Sequence, residues 1–209
     1  MKKLLLTALI AAMMVLPLGT VAMADDKPLA ESLTVNESYT PGEAPAQSSV
    51  EFMAPAIHAV LLAMENRELS SFTTEDPAVS WEMLYNLLSM YGQMDARSTY
   101  DAEMLVLPAE TVMDFSSALF PAPLSPDTLP PELSDRITYS GDRDEYRLYC
   151  GSDALSEVVF TNTRDLDGAV AVSGKLMFLA EDMELASFSA TLSASENLFG
   201  YTLTALDLI

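Results

Sequence analysis

Cysteine is almost missing from this 209-residue chain: Cys150 stands alone. An internal disulfide is therefore excluded, and the fold must rest on its apolar core. Histidine and tryptophan are equally scarce, with His58 and Trp81 the single examples. One histidine cannot supply a histidine-rich metal site or a relay of imidazoles. Basic residues are the third shortage, 10 Lys and Arg against 31 Asp and Glu, for a formal charge of −21. A field of that sign repels nucleic acid, anionic lipid and acidic polymers, so nucleic acid is excluded as a partner. The acids are scattered rather than clustered, which is the pattern of a solvated surface. Several catalytic patterns are absent as well: G-x-S-x-G, a Walker loop, G-x-G-x-x-G and H-E-x-x-H. No catalytic residue, cofactor or metal ligand set is assigned on sequence grounds.

The most informative segment present is the first. Met1-Lys2-Lys3 is a short cationic start, Leu4 to Leu18 is apolar apart from Thr7 and Pro17, and Ala22-Met23-Ala24 is a small-x-small cleavage signal. Residues 1–24 are expected to be a secretory signal peptide of bacterial type, too short and wrongly flanked for a membrane span. The mature protein is then secreted or periplasmic, with no anchor left after cleavage, since no later apolar run is long enough to span a bilayer. Residues 25–47 carry Pro28, Pro41, Gly42 and Pro45 without periodicity and read as a flexible acidic tether. Residues 48–209 are expected to form one α+β domain with a sizeable core.

Within that domain the helical half covers residues 48–120. Met53, Ile57, Val60, Leu61 and Met64 recur at helical spacing and predict a first helix, from about Ser49–Ala54 to Asn66, with Pro55 in its first turn. Asp76 as N-cap, Pro77 at the first position and Gly92 as stop bracket a second helix. Its apolar arc is wide, from Val79 and Trp81 through Met83, Leu84, Leu87, Leu88, Met90 and Tyr91, so most of it must be covered. Met104–Leu107 predicts a short strand, and a third helix follows from Pro108 through Phe120. Residues 121–135 hold five prolines and read as a loop over the surface. From Arg136 the period becomes two. Strands are expected over 136–140, 145–150, 156–163, 168–180, 184–193 and 199–208, joined at Gly141-Asp142, Asp167-Gly168, Glu181-Asp182 and Glu196-Asn197. Large apolar side chains (Phe160, Leu176, Phe178, Phe188, Leu192) alternate there with Ser, Thr and Ala, so one face should pack on helices.

The predicted fold is thus α+β, with about three N-terminal helices on one face of a curved antiparallel β-meander over 136–209. This order of elements resembles the layout of NTF2-like and cystatin-like folds, which host enzymes, pockets and adaptors alike. His58 flanks the first helix's apolar stripe and is expected to be a half-packed boundary residue. Cys150 ends a strand and should be a buried small hydrophobe. Asp142–Glu145 and Asp165–Gly168 resemble fragments of calcium loops but coincide with turns that want Asp and Gly for backbone reasons. Met83, Met90 and Met94 fall on the apolar arc as core filler. Trp81 and Tyr91 are the residues expected to reach a ligand or partner groove. The functional expectation is a non-enzymatic module that binds an unknown small ligand or protein. The alternative is a cofactor-free enzyme with a buried carboxylate in an NTF2-like pocket.

Overall fold

The computed structural model describes residues 50–150 and 155–209; the expected signal peptide (1–24) and tether (25–47) lie outside them. A 3₁₀ turn over Val50–Met53 leads into α1, Ala54–Arg67, with Pro55 in the first turn where its missing N–H is not needed. α1 stops where Glu68 turns left-handed (φ 56°), and the amide of Leu69 closes back on the Met64 carbonyl at 2.9 Å. α2 runs Pro77–Tyr91, inside the bracket read from its caps. The Asp76 carboxylate accepts from the Ala78 amide at 2.9 Å, satisfying one of the first-turn donors that have no partner within the helix. α3 covers Ala109–Ser116, shorter than expected, because Ala118, Leu119 and Phe120 continue as tightened turns.

Among the described residues, eight strands form two antiparallel four-stranded sheets. β1 (Thr99–Asp101), β2 (Met104–Pro108), β3 (Ile137–Ser140) and β4 (Glu145–Tyr149) lie in the order β1-β2-β4-β3. β5 (Ser156–Leu166), β6 (Ala169–Phe178), β7 (Met183–Ala194) and β8 (Tyr201–Leu208) form a meander in chain order. The expectation of one meander from residue 136 onward is corrected here. β4 pairs with the upstream β2, Leu105 opposite Leu148 and Leu107 opposite Tyr146, so β3 and β4 belong with the helical half. Strand β1 was not legible because its turn carries no Gly or Asn: Ala102 takes the left-handed φ of 56° instead.

The free edge of β8 is covered locally. Ser71 bridges to Asp207, the Phe72 amide donates to the Leu206 carbonyl at 2.7 Å, and the Leu208 amide donates to the Ser70 carbonyl at 2.9 Å. A covered edge cannot template pairing with another chain. α1 packs on α2 and β5, while α3 packs on α2, β2 and β4. Among the described residues one hydrophobic core joins α1, α2 and α3 to both sheets, through residues such as Ile57, Leu61, Leu87, Leu105, Leu148, Leu176 and Phe188. Each such side chain contributes about 1.5–3 kcal/mol by leaving water. Among the described residues no helix is long and apolar enough to cross a membrane.

Candidate functional site

Where α1 begins, α2 ends and the β7–β8 loop turns, a cleft of about 530 Å³ remains unfilled. Glu51 and Phe52 enter it from the 3₁₀ turn, and Pro55 from the first turn of α1. Tyr91 comes from the last residue of α2, and Met94, Asp95 and Ala96 from the chain just beyond the stop at Gly92. Phe115 of α3 and Leu198 and Phe199 of the β7–β8 loop close the far side. Apolar groups dominate this lining, and among the described residues its charged side chains are the carboxylates of Glu51 and Asp95. At the mouth Phe52, Met94 and Leu198 keep 60%, 77% and 65% of their surface in water. Phe115 and Phe199 are buried and meet edge to face, with centroids 5.7 Å apart.

Two polar devices hold the walls in place. The Asn197 side-chain amide donates to the Ser117 and Tyr201 carbonyls, both at 2.9 Å, and its Oδ1 accepts from the Phe199 amide at 3.0 Å. The Thr202 hydroxyl donates to the same Ser117 carbonyl at 2.8 Å. The loop bearing Leu198 and Phe199 is thereby fixed to the end of α3. On the opposite side the Arg97 guanidinium reaches Asp95, Asp114 and, at 3.4 Å, Glu110. This ties the segment after α2 to α3. Hydrogen bonding from Arg97 holds the Asp95 carboxyl below the usual carboxylate range, and the carboxylates in turn raise the guanidinium pKa.

Tyr91 links the cleft to the interior. Its hydroxyl lies 2.7 Å from Nδ1 of His58, and the other ring nitrogen lies 2.9 Å from the Ser156 hydroxyl at the start of β5. His58 is 2% exposed, buried rather than at a boundary, and burial lowers its pKa. A neutral imidazole has one donor and one acceptor, so one hydroxyl donates to the ring and the other accepts from it. The three groups form a short polar chain between α1, α2 and the meander. Such a chain positions the Tyr91 ring at the cleft wall.

The two groove residues expected from the sequence part company. Tyr91 lines the cleft. Trp81 does not: it is fully buried, its indole N–H donates to the Thr128 hydroxyl at 3.0 Å, and its ring packs near Tyr146. The proline-rich loop, through the turn Pro126–Thr128, provides the polar partner that lets the indole go under. Met94 is a second correction. The α-helix ends at Tyr91 and tightens into a 3₁₀ turn over Gly92–Met94, so the apolar phase is lost and Met94 swings out. Cys150 is half-buried beyond the end of β4, with its Sγ 3.6 Å from the Tyr100 hydroxyl, and is therefore more accessible than expected. Phe52 and Leu198 were not singled out by sequence reading, and Phe199 was expected to open the last strand, which instead begins at Tyr201. Their one signal is that each sits beside a helix start or a turn rather than on a periodic stripe.

The only buried acid among the described residues, Glu82, lies away from the cleft and receives hydrogen bonds from Arg67 and Asn66. No three His, Cys, Asp or Glu side chains among the described residues are grouped to hold a metal. Compared with known proteins, the chain matches no family model, no curated protein and no solved structure.

Proposed function

We propose that this is an exported, non-enzymatic binding module that takes a small apolar ligand in the cleft between α1, α2, α3 and the β7–β8 loop. The observation that carries the reading is the apolar cleft of about 530 Å³, with Phe52, Met94 and Leu198 left largely in water at its mouth. Pockets of about 300–1,000 Å³ with mostly apolar walls are the usual size and character of small-molecule sites. Three large apolar side chains kept wet around one opening give up burial energy that a ligand would restore. The walls are pre-set by Asn197 and Arg97, so little ordering cost remains for binding. The enzyme alternative asks for an isolated carboxylate at a pocket floor. Asp95 in the cleft is held ionised by Arg97, and Glu82 is paired elsewhere, so neither favours that chemistry.

The test is titration with a neutral apolar dye, N-phenyl-1-naphthylamine, against the wild type and the double variant Phe52→Ser/Leu198→Ser. Saturable binding that the double variant weakens by about tenfold or more is expected, since two large apolar contacts are lost. Equal binding by both proteins would place the dye elsewhere and refute the cleft as the site. Export is tested separately, by sequencing the N-terminus of secreted protein. A start at Asp25 is expected, and recovery of Met1 would overturn it.

A further inference from the structure

Resting on that reading, we infer that the cleft is regulated by proton binding at His58: it holds its ligand while the imidazole is neutral and releases it when the imidazole is charged. The geometry behind this is the double place of Tyr91. Its side chain lines the cleft, and its hydroxyl lies 2.7 Å from Nδ1 of His58, the two rings meeting edge to face with centroids 6.2 Å apart. His58 also stands one turn along α1 from Pro55, another cleft residue. The buried imidazole is thus tied to both walls that α1 and the end of α2 give the cleft.

The groups that face this ring offer a positive charge no counter-ion. From α2 it meets Tyr91; Glu82 receives its hydrogen bonds from Arg67 and Asn66 at the other end of α1, and the Tyr85 hydroxyl donates to the Tyr149 carbonyl. From β5 it meets the Ser156 hydroxyl at 2.9 Å, while Glu157, Arg164 and Asp165 are exposed. Glu51, from the 3₁₀ turn, lines the cleft, and on α1 itself Glu65 is exposed two turns on. Among the described residues both bonds to the ring therefore come from neutral hydroxyls. Two hydroxyls can accept from an imidazolium, but they leave its charge unpaired, and an unpaired charge so deeply buried is costly. The cost is relieved by letting water reach the ring, which means parting α1 from Tyr91 and Ser156. That parting displaces Tyr91 and Pro55, the walls a ligand needs. Ligand and proton thus favour different arrangements of the same segments, and by linkage each weakens the other. Burial already holds the His58 pKa below its ordinary 6.5, so the neutral, ligand-holding form prevails at neutral pH. Affinity is then level above about pH 6.5 and falls as pH drops through the folded value.

Binding of N-phenyl-1-naphthylamine as a function of pH tests the inference, with the His58 ring followed by NMR in the same samples. His58 is the only histidine, so its ring C–H signals are unambiguous. The Kd should be level from about pH 8 to about pH 6.5 and then rise, approaching about tenfold per pH unit below the His58 pKa of the free protein. Saturating dye should lower the His58 pKa, because the coupling is reciprocal. His58→Gln keeps a polar side chain without a titrating ring and should flatten the rise in Kd. If that variant does not fold, the displacement of the His58 pKa by dye in the wild type decides alone. A Kd that stays level down to about pH 5, or a His58 pKa that dye leaves unchanged, overturns the regulation while the cleft stands. An equal rise in His58→Gln overturns it as well, assigning the pH dependence to carboxylates. If the dye does not bind even at about pH 7.5, where the imidazole is neutral, the functional proposal fails and the regulation with it.

Discussion

Replacing Gly174 by alanine should destabilise the protein well beyond what a one-carbon change on a strand suggests. A Cβ built there would lie 2.6 Å from the Val159 carbonyl oxygen and 2.7 and 2.8 Å from Cζ and Cε1 of Phe188. Contacts so short do not survive, so either β5 or the Phe188 ring must move. The ring is fully buried and meets Phe160 edge to face at 6.3 Å, which leaves it no room to swing out. The carbonyl belongs to the β5–β6 ladder, just before the register shift between Phe160 and Asn162. Inserting a methyl into such a core costs about 1–3 kcal/mol. Loss of glycine's freedom in the unfolded chain returns about 0.4–1 kcal/mol. Taken from the middle of both ranges, the net expectation is a loss of about 1 kcal/mol, which for a domain of this size lowers Tm by about 2–4 °C. Urea unfolding should show a lower midpoint with the slope unchanged. Gly141→Ala is the matched control, because its Cβ would meet only Tyr139 at an ordinary 3.8 Å. That variant should stay within about 0.5 kcal/mol of wild type. If Gly174→Ala unfolds at the same or higher urea than wild type, the close approach of β5, β6 and Phe188 is wrong.

Trp81→Ala should cost about 3–5 kcal/mol by urea unfolding, as a fully buried ring and its bond to Thr128 are lost, and dye affinity of the folded fraction should not change. A weakened dye with an intact midpoint would return Trp81 to the cleft. Asp76→Ala should lose about 1 kcal/mol and Asp76→Ser most of that back, read as the urea midpoint, because only a side-chain acceptor for the Ala78 amide is needed. His58 gives the chain a pH dependence whose sign is set by burial: its folded pKa lies below the unfolded value of about 6.5. The unfolded chain therefore binds the proton first, so stability is constant above about pH 6.5 and falls as pH drops through 6.5 toward the folded value. His58→Gln should remove that component, seen as a smaller drop in urea midpoint between about pH 7.5 and about pH 5.5, and an unchanged drop would refute it.

Elements whose chemistry is local were legible from the sequence by itself. Asp76, Pro77 and Gly92 bound α2 because capping, a missing amide and a helix stop act over a few residues. The turns at Gly141, Gly168 and Asp182 and the alternation along β6 and β7 likewise report short-range backbone and burial preferences. Composition alone settled that no internal disulfide exists and that the charge is heavily negative. What depended on partners distant in the chain was decided only by the tertiary structure. A wide apolar arc on α2 says that Trp81 and Tyr91 need covering, but not by what. Thr128 in the proline-rich loop took Trp81 into the core, while His58 and Ser156 held Tyr91 at the cleft wall. Two sheets replaced one because β4 found β2 across the proline-rich stretch, a pairing with no sequence marker beyond apolar residues on both strands. The cleft itself joins residues 51–55, 91–96, 115 and 198–199, and it exists because Arg97 and Asn197 fasten three separate segments to one another. Such convergence is a property of packing, since Arg97 meets Asp114, and Asn197 meets Ser117, across long stretches of chain.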